Sequence, residues 1–421
     1  MIEPLRKISR RILKHAKNLP LQVFIRAKKG ALVRFTNNGV HQNTSQDLFS
    51  YTLRQGPVWA ESNDLSDEGI QETLRRISLI SENPSASKKT NRRVAYKSIK
   101  ENFPLHLQKI PQTAAQVIQK AVRLIRARQA SANGYFSAYE RSFYLADNDG
   151  LEAFHPATAV RFGTTLTKGS GKGYFSFYHP DPKKLDVDSV VEEAAGLAEF
   201  ASRSEVSLKP GEYECVFSPR AFLELIEPLR RHFDRQLCTD QKSVFSGFQG
   251  KKIFSEYFSL HDDVGHAGQF GIPFDAEGKP KRKVVLVHQG ILKELLSEGH
   301  STRGLLEHPV YPQNLVVPRG TLSRDEIFKR IRRGIFINKI WYHTLVRESE
   351  MEATGLATAG SLFIDKGHIQ GRVVNLRYHD SLFSILRSVV AASREQVLLK
   401  DGEMGAALLP YLWVSRLRVV A

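Results

Sequence analysis

Apolar residues recur at helical spacing at the start of the chain, where Leu5, Ile8, Ile12 and Leu13 share one face of the basic stretch MIEPLRKISRRILKHAKNLP. It reads as a surface helix docked on the first domain, with an organellar transit peptide or a membrane-surface helix as the other readings. It lacks the unbroken apolar core and small-residue cleavage site of a secretory signal. Alternation then replaces the helical period. QVFIRA (22–27) and ALVRFT (31–36) predict strands joined by a turn at Lys29-Gly30, and Asn38-Gly39 turns the chain into 40–45. DLFSYTLRQ and GPVWAES continue the meander. A helix begins at Ser66, whose hydroxyl caps it and whose next residues, Asp67-Glu68, suit the positive end of the helix dipole. Its buried stripe is Ile70, Leu74, Ile77 and Leu79 or Ile80.

Residues 81–98 turn polar and basic and read as a mobile connector. A helix follows from Pro111 through Arg128, with Ala114, Val117, Ile118, Ala121, Leu124 and Ile125 facing inward. YFSAYERSFYLAD, the turn Asn148-Asp149-Gly150 and LEAFHPATAVRFGTTLTK predict a hairpin, and a glycine turn at 169–173 leads into YFSFYH. A helix from about Asp188 to Ser202 closes the first half. Pro210-Gly211, in SEVSLKPGEYE, marks a domain boundary. The second half opens with a strand, Tyr213 to Phe217, and a helix from Pro219 to about Leu237 that Pro228 should kink. Then come a strand near 313–317, a helix from Ser323 to Arg333 capped by Ser323 with Asp325-Glu326 in its first turn, strands at 335–346, 361–365 and 369–376, a helix from about Ser381 to Ala392 and a final strand at 411–420. The fold class is therefore α+β in two domains: a mixed strand and helix domain, 1–205, and a largely antiparallel β domain with packed helices, 206–421. No tandem repeat of fixed period appears.

The stretch 243–304 is the most informative. Glycines 265, 268, 271 and 278 indicate a shaped loop that serves a site or an interface. Its landmarks are Ser246-Gly247, Asp262-Asp263, Gly265 to Gly271, Phe274-Asp275-Ala276-Glu277-Gly278, Val284 to Val287, Gly290 and Leu292 to Ser301. In this order they resemble the middle of the TldD/PmbA family, metalloprotease-related proteins also called modulators of DNA gyrase. The first half adds N-D-L-S-x-E-G at 63–69 and N-D-G at 148–150. Near the end, Ile364-Asp365-Lys366-Gly367 matches the family's I-x-x-G turn.

That resemblance implies a zinc peptidase with H-E-x-x-x-H on the helix after the domain-opening strand and a cysteine near the carboxy terminus as third ligand. Zinc catalysis needs three protein ligands, an open position for water and a carboxylate to take its proton. Here the helix reads SPRAFLELIEPLRRHFDRQL. Glu227 meets the family's glutamate, but Ile226 and Arg231 stand at the two histidine positions, and no cysteine follows Cys238. Isoleucine has no lone pair to donate and a guanidinium repels a cation. The chain therefore looks like the PmbA, or TldE, side of the family. Its expected catalytic residues are none, and its expected cofactor is none, with zinc only in a TldD-like partner. Glu227 is expected to pair locally with Arg230 or Arg231.

Other chemistry was weighed. His261, Asp262, Asp263 and His266 place four donors within six positions, a weak metal candidate against the plainer role of capping backbone amides. Gly169-Ser170-Gly171-Lys172-Gly173 lacks the first glycine and the hydroxyl of a phosphate loop and reads as a hairpin turn. Histidines 300, 308, 343 and 379 look isolated, Cys238 beside Arg235 reads as a packed thiol, and Lys329 to Arg333 as a solvated helix face.

The net charge of +17 would suit a polyanion, but the basic residues are scattered and no nucleic-acid-binding signature accompanies them. Two cysteines without C-x-x-C spacing suggest reduced thiols in a cytoplasm. The expected function is a non-catalytic subunit that binds or presents unfolded peptide beside a zinc-bearing TldD-like subunit, or beside a second copy of itself. A basic nucleic-acid-binding module and an independent metal enzyme using the 261–266 loop are the alternatives.

Overall fold

The structure, a computed structural model, describes residues 2–16, 19–56, 58–80, 103, 105, 109–275, 277–297, 311–401 and 405–420. The connector at 81–98, the end of the Leu292–Ser301 landmark, and His300 and His308 lie outside the described residues.

The first half runs α1 (Ile2–His15), β1 (Gln22–Thr36), β2 (Gly39–Gln55), β3 (Val58–Ser62), α2 (Asp67–Ile80), α3 (Ile110–Ala127), β4 (Ser131–Asp147), β5 (Glu152–Lys168), β6 (Gly171–His179) and α4 (Val187–Arg203). Its strands form one antiparallel six-stranded sheet in the order β3-β2-β1-β4-β5-β6. Side chains alternate across a strand, so one parity of residues meets the helices. Val23, Ile25, Tyr51, Leu53 and Tyr144 pack with Leu5 and Ile12 of α1 and Ile70, Leu74 and Ile77 of α2. Farther along the same face, Val33, Phe35, Phe136 and Phe162 pack under α3 and α4. The amino-terminal helix is thus docked, as the first of its three readings held.

The first half corrects the sequence reading in three places. Lys29-Gly30 is not a turn, because β1 passes straight through it, paired with Asp47 and Gln46 on one side and Glu140 and Tyr139 on the other. Gly30 is required by close approach: a Cβ there would lie 2.1 Å from the Ala138 carbonyl oxygen and 2.7 Å from the Tyr139 ring. The segments 40–45 and 47–55 are one strand. Leu79 and Ile80 are exposed, Leu79 because 100° per residue carries it away from Ile77 and Ile80 because it ends the helix.

Gly171 and Gly173 sit where α4 crosses β6. A Cβ on either would come within 2.1 Å of a helix carbonyl oxygen, that of Ala198 or Ala194. The pentad Gly169 to Gly173 is thus a hairpin turn and a seat for an alanine-faced helix. Gly173→Ala is expected to destabilise the protein by about 1–3 kcal/mol through overpacking. Urea denaturation checks this, and an unchanged midpoint would mean that the helix can ride higher on the sheet.

The second half contains β7 (Glu205–Val206), β8 (Gly211–Phe217), α5 (Pro219–Ile226), α6 (Arg235–Thr239), β9 (Leu260–Asp262), β10 (Val284–His288), β11 (Ile291–Leu292), β12 (Asn314–Val316) and α7 (Arg324–Arg330). After these come β13 (Arg333–Ile337), β14 (Lys339–Arg347), β15 (Glu352–Thr358), β16 (Leu362–Asp365), β17 (His368–Val373), β18 (Arg377–Ser381), α8 (Leu382–Arg387), β19 (Val389–Asp401) and β20 (Gly405–Val420). They build a 14-stranded sheet along β11-β10-β9-β12-β20-β8-β13-β16-β17-β7, with β14, β15, β18 and β19 branching from it. Pairing is largely antiparallel, as expected, but β12–β20, β13–β8 and β17–β7 are parallel.

Four predicted elements differ here. The Ser381–Ala392 helix stops at Arg387 and the chain becomes β19, whose pairing along β20 outweighs local helix preference. The run 335–346 breaks at Asn338, whose amide donates to the Tyr174 and Ala359 carbonyls at 2.9 and 2.8 Å as the chain passes between sheet branches. The Ser323–Arg333 helix keeps its predicted cap, a reciprocal Ser323–Glu326 box, but ends at Arg330. The last strand begins at Gly405 rather than 411.

Candidate functional site

The segment that would carry a zinc motif is built from α5 onward. Ser218 caps it, accepting from the Ala221 amide at 3.1 Å and donating to the Asn338 carbonyl at 2.6 Å, and Pro219 occupies the first turn. The helix ends at Ile226. Pro228 cannot supply an amide to continue it, so Glu227–Phe233 tightens into a 3-10 turn before Asp234 caps the short α6. The predicted kink at Pro228 is a full break, and the single helix to Leu237 is three pieces.

This geometry fixes the three positions singled out in the sequence. Ile226 is 2% exposed within the main apolar core of the second half. Glu227 pairs with Arg230 at 2.7 Å, the local partner expected for it. Arg231 points to Glu348 at 3.3 Å with both side chains about half exposed. Arg230 is buried, donates to the Pro312 carbonyl and lies over the Tyr311 ring. A buried alkyl group, an ion-paired carboxylate and a guanidinium do not fit a zinc ion.

Two histidines beside this segment carry features the sequence did not suggest. His343 of β14, read as isolated, shares a 2.5 Å hydrogen bond between its Nδ1 and the Tyr378 hydroxyl, and burial pushes its pKa down to about 4. His232 is buried, accepts from the Val244 amide at 3.3 Å and faces Glu348 at 3.7 Å, with its pKa lowered by the same cause. His379, also read as isolated, pairs with Glu352 at 2.9 Å. Thirty-five positions separate His343 from Tyr378, so only the pairing of β15 with both β14 and β18 brings them together.

In the 261–266 loop the two aspartates are spent on backbone amides. Asp262 is buried and accepts from the amides of Asn314 at 2.8 Å and Gln313 at 3.4 Å, and burial raises its pKa. Asp263 accepts from the Gly265 amide at 3.0 Å, with the Lys283 ammonium 4.0 Å away. His261 is pushed down to about 4, chiefly by burial and then by Lys283. Among the described residues no three His, Cys, Asp or Glu side chains converge as a metal cluster would. The cationic neighbour of Asp263 further disfavours a cation there.

The rest of the long loop is an interface. Ile272 and Phe274 insert against Phe24, Phe143, Leu145, Leu151, Ala153 and Ala157, on the face of the first sheet opposite its helices. Asp275 ties the turn by accepting from the Glu277 and Lys279 amides at 2.9 and 2.8 Å. Gly278, at φ 75°, would place a Cβ 2.5 Å from Leu151. Cys215 and Cys238 are free, buried thiols with pKa raised by burial. Among the described residues no helix is long and apolar enough to cross a membrane.

The profile of the PmbA/TldA metallopeptidase C-terminal domain matches residues 210–421, just over half of the chain. A metalloprotease of Methanocaldococcus jannaschii is 27% identical over 143 residues, covering 30% of this chain and 32% of that protein. A metalloprotease of Methanothermobacter thermautotrophicus is 28% identical over 141 residues, covering 30% and 31%. The matches thus span about a third of these curated relatives. Among solved structures, TldE from Thermococcus kodakarensis superposes with a TM-score of 0.81 at 18% identity, over 98% of this chain and 100% of that one. A protein of Thermotoga maritima described as a modulator of a DNA gyrase gives 0.82 at 16% identity, over 99% and 100%. At that identity the superpositions establish the fold, and together with the profile match they lead to one statement: the chain belongs to the PmbA/TldD family of metallopeptidase-related proteins.

Proposed function

We propose that the chain is the non-catalytic subunit of a TldD/PmbA-type zinc metallopeptidase pair, presenting unfolded peptide to a zinc-bearing companion. The observation that carries the reading is the chemistry of the degenerate motif: buried Ile226 and ion-paired Arg231 stand where the family's histidines are expected. No cysteine follows Cys238 to act as third ligand.

A second feature supports contact with a partner or an extended peptide. β14 has a hydrogen-bonded neighbour, β15, on one side only among the described residues, and it packs beside α5. Its exposed side chains include Trp341 at 55%, Tyr342 at 69% and Val346 at 57%. Such an edge can accept a strand through main-chain hydrogen bonds, which gives sequence-tolerant affinity. The proposal includes two domains, 1–205 and 206–421, supported by one sheet lying within 22–179 and the other within 205–420. It also places the pair in a cytoplasm, supported by the two free thiols.

The test is co-expression with a family member that carries H-E-x-x-x-H. The isolated chain is expected to hold no stoichiometric zinc and to cleave no peptide, and the pair to cleave an unfolded peptide in a chelator-sensitive way. Zinc-dependent cleavage by the isolated chain would sink the reading. So would a companion whose activity is the same with and without this chain.

A further inference from the structure

We infer that the cavity between α4 and α7 binds a small amphipathic anion, an aromatic or branched aliphatic body carrying a carboxylate. It lies on the other side of the second sheet from α5. Cys215 and Phe217 of β8 and Ile335 and Ile337 of β13 point into the core shared with α5. Val216 and Phe336, one residue out of step, point the opposite way into the cluster under the cavity.

The cavity has a volume of about 760 Å³, on the scale of small-ligand sites. Leu197, Phe328, Phe336 and Ile369 give it an apolar floor, and Arg203 and Lys329 stand at its exposed rim. Two arginines stand against the three carboxylates around it. Glu193 and Asp325 pair with Arg324 at 2.8 and 3.2 Å, and Glu192 with Arg128 at 3.8 Å. Arg203 and Lys329 have no carboxylate partner among the described residues, and the Arg203 guanidinium rests over the Phe200 ring at 4.5 Å. The charge left uncompensated beside the apolar floor is therefore positive.

Gly196 gives an independent indication. It lies inside α4, where glycine is less stable than alanine. Unlike Gly171 and Gly173, no close approach requires it: a Cβ there would meet nothing within 4 Å. Gly196 also lines the cavity, so the missing side chain leaves the space open for something else.

Isothermal titration of the full chain tests the site with N-acetylphenylalanine and with a hexapeptide ending in phenylalanine, each as free acid and as amide. At least one acid is expected to bind tenfold or more tighter than its amide. Which acid it is distinguishes a free carboxylic acid from a peptide terminus. Arg203→Ala with Lys329→Ala is expected to weaken that acid at least tenfold. Gly196→Leu should abolish binding while leaving the thermal midpoint unchanged or raised, which separates a filled cavity from a damaged fold. Acids that bind no better than amides, no binding by any probe, or undiminished binding to Gly196→Leu would each overturn the inference.

Discussion

Phe274→Ala is expected to cost about 3–5 kcal/mol of stability, the range for removing a fully buried aromatic ring. The ring is fully buried and sits in a cluster contributed mainly by the first sheet, although residue 274 belongs to the second half. The loss should therefore exceed simple transfer of the ring, because the loop behind it cannot collapse into the hole. Asp275 holds the turn through two backbone amides, and Gly278 is already against Leu151. Urea denaturation measures the change, and limited proteolysis reports whether the loop is released before the sheets unfold. A loss below about 1 kcal/mol would show that the ring is not a principal tie between the halves.

Acidification is expected to weaken the protein between pH 6.5 and 4, and His343 is one principal cause. Its folded pKa is about 4 against an ordinary 6.5, because burial disfavours the imidazolium and only the Leu225 backbone opposes this. In that window the unfolded chain binds more protons than the folded one, so stability rises with pH and is lost as pH falls. The full shift corresponds to roughly 3 kcal/mol. His261 acts in the same direction, since burial and the Lys283 ammonium push it down to about 4 as well. Asp275 acts oppositely. Burial lifts its carboxyl to about 6, so its protonation favours the folded form as pH drops through that value. His343→Gln, which keeps an acceptor for Tyr378, should flatten the dependence of the urea midpoint between pH 7.5 and 4.5, and Asp275→Asn should steepen it. An unchanged profile in His343→Gln would remove His343 as the cause.

The local pattern of the chain carried much of this architecture. Helix caps at Ser66 and Ser323, the hairpin at Asn148-Asp149-Gly150 and the interruption at Pro228 follow from residues adjacent in sequence. The errors arose where distant partners decide. Gly30 resembles a turn residue until Tyr139 is placed across it, and 389–392 resembles a helix tail until β20 supplies its ladder. The missing ligands at Ile226 and Arg231 were legible as residue types. The His343–Tyr378 bond and the cavity over Phe336 were not, because strand pairing and helix crossing create them.

The border of β14, with Trp341 and Tyr342 stacked at 4.4 Å, has a consequence for how cells must manage this polypeptide. Among the described residues this edge carries no second strand, only the Glu224 carboxylate on the Ile340 amide, and such an edge flanked by aromatic rings is adhesive towards any extended chain, including another copy of the same molecule. Under the proposed pairing, a surplus of this chain over its companion is a clumping hazard, so matched synthesis of the two, or prompt removal of the excess, follows from the shape of a single strand.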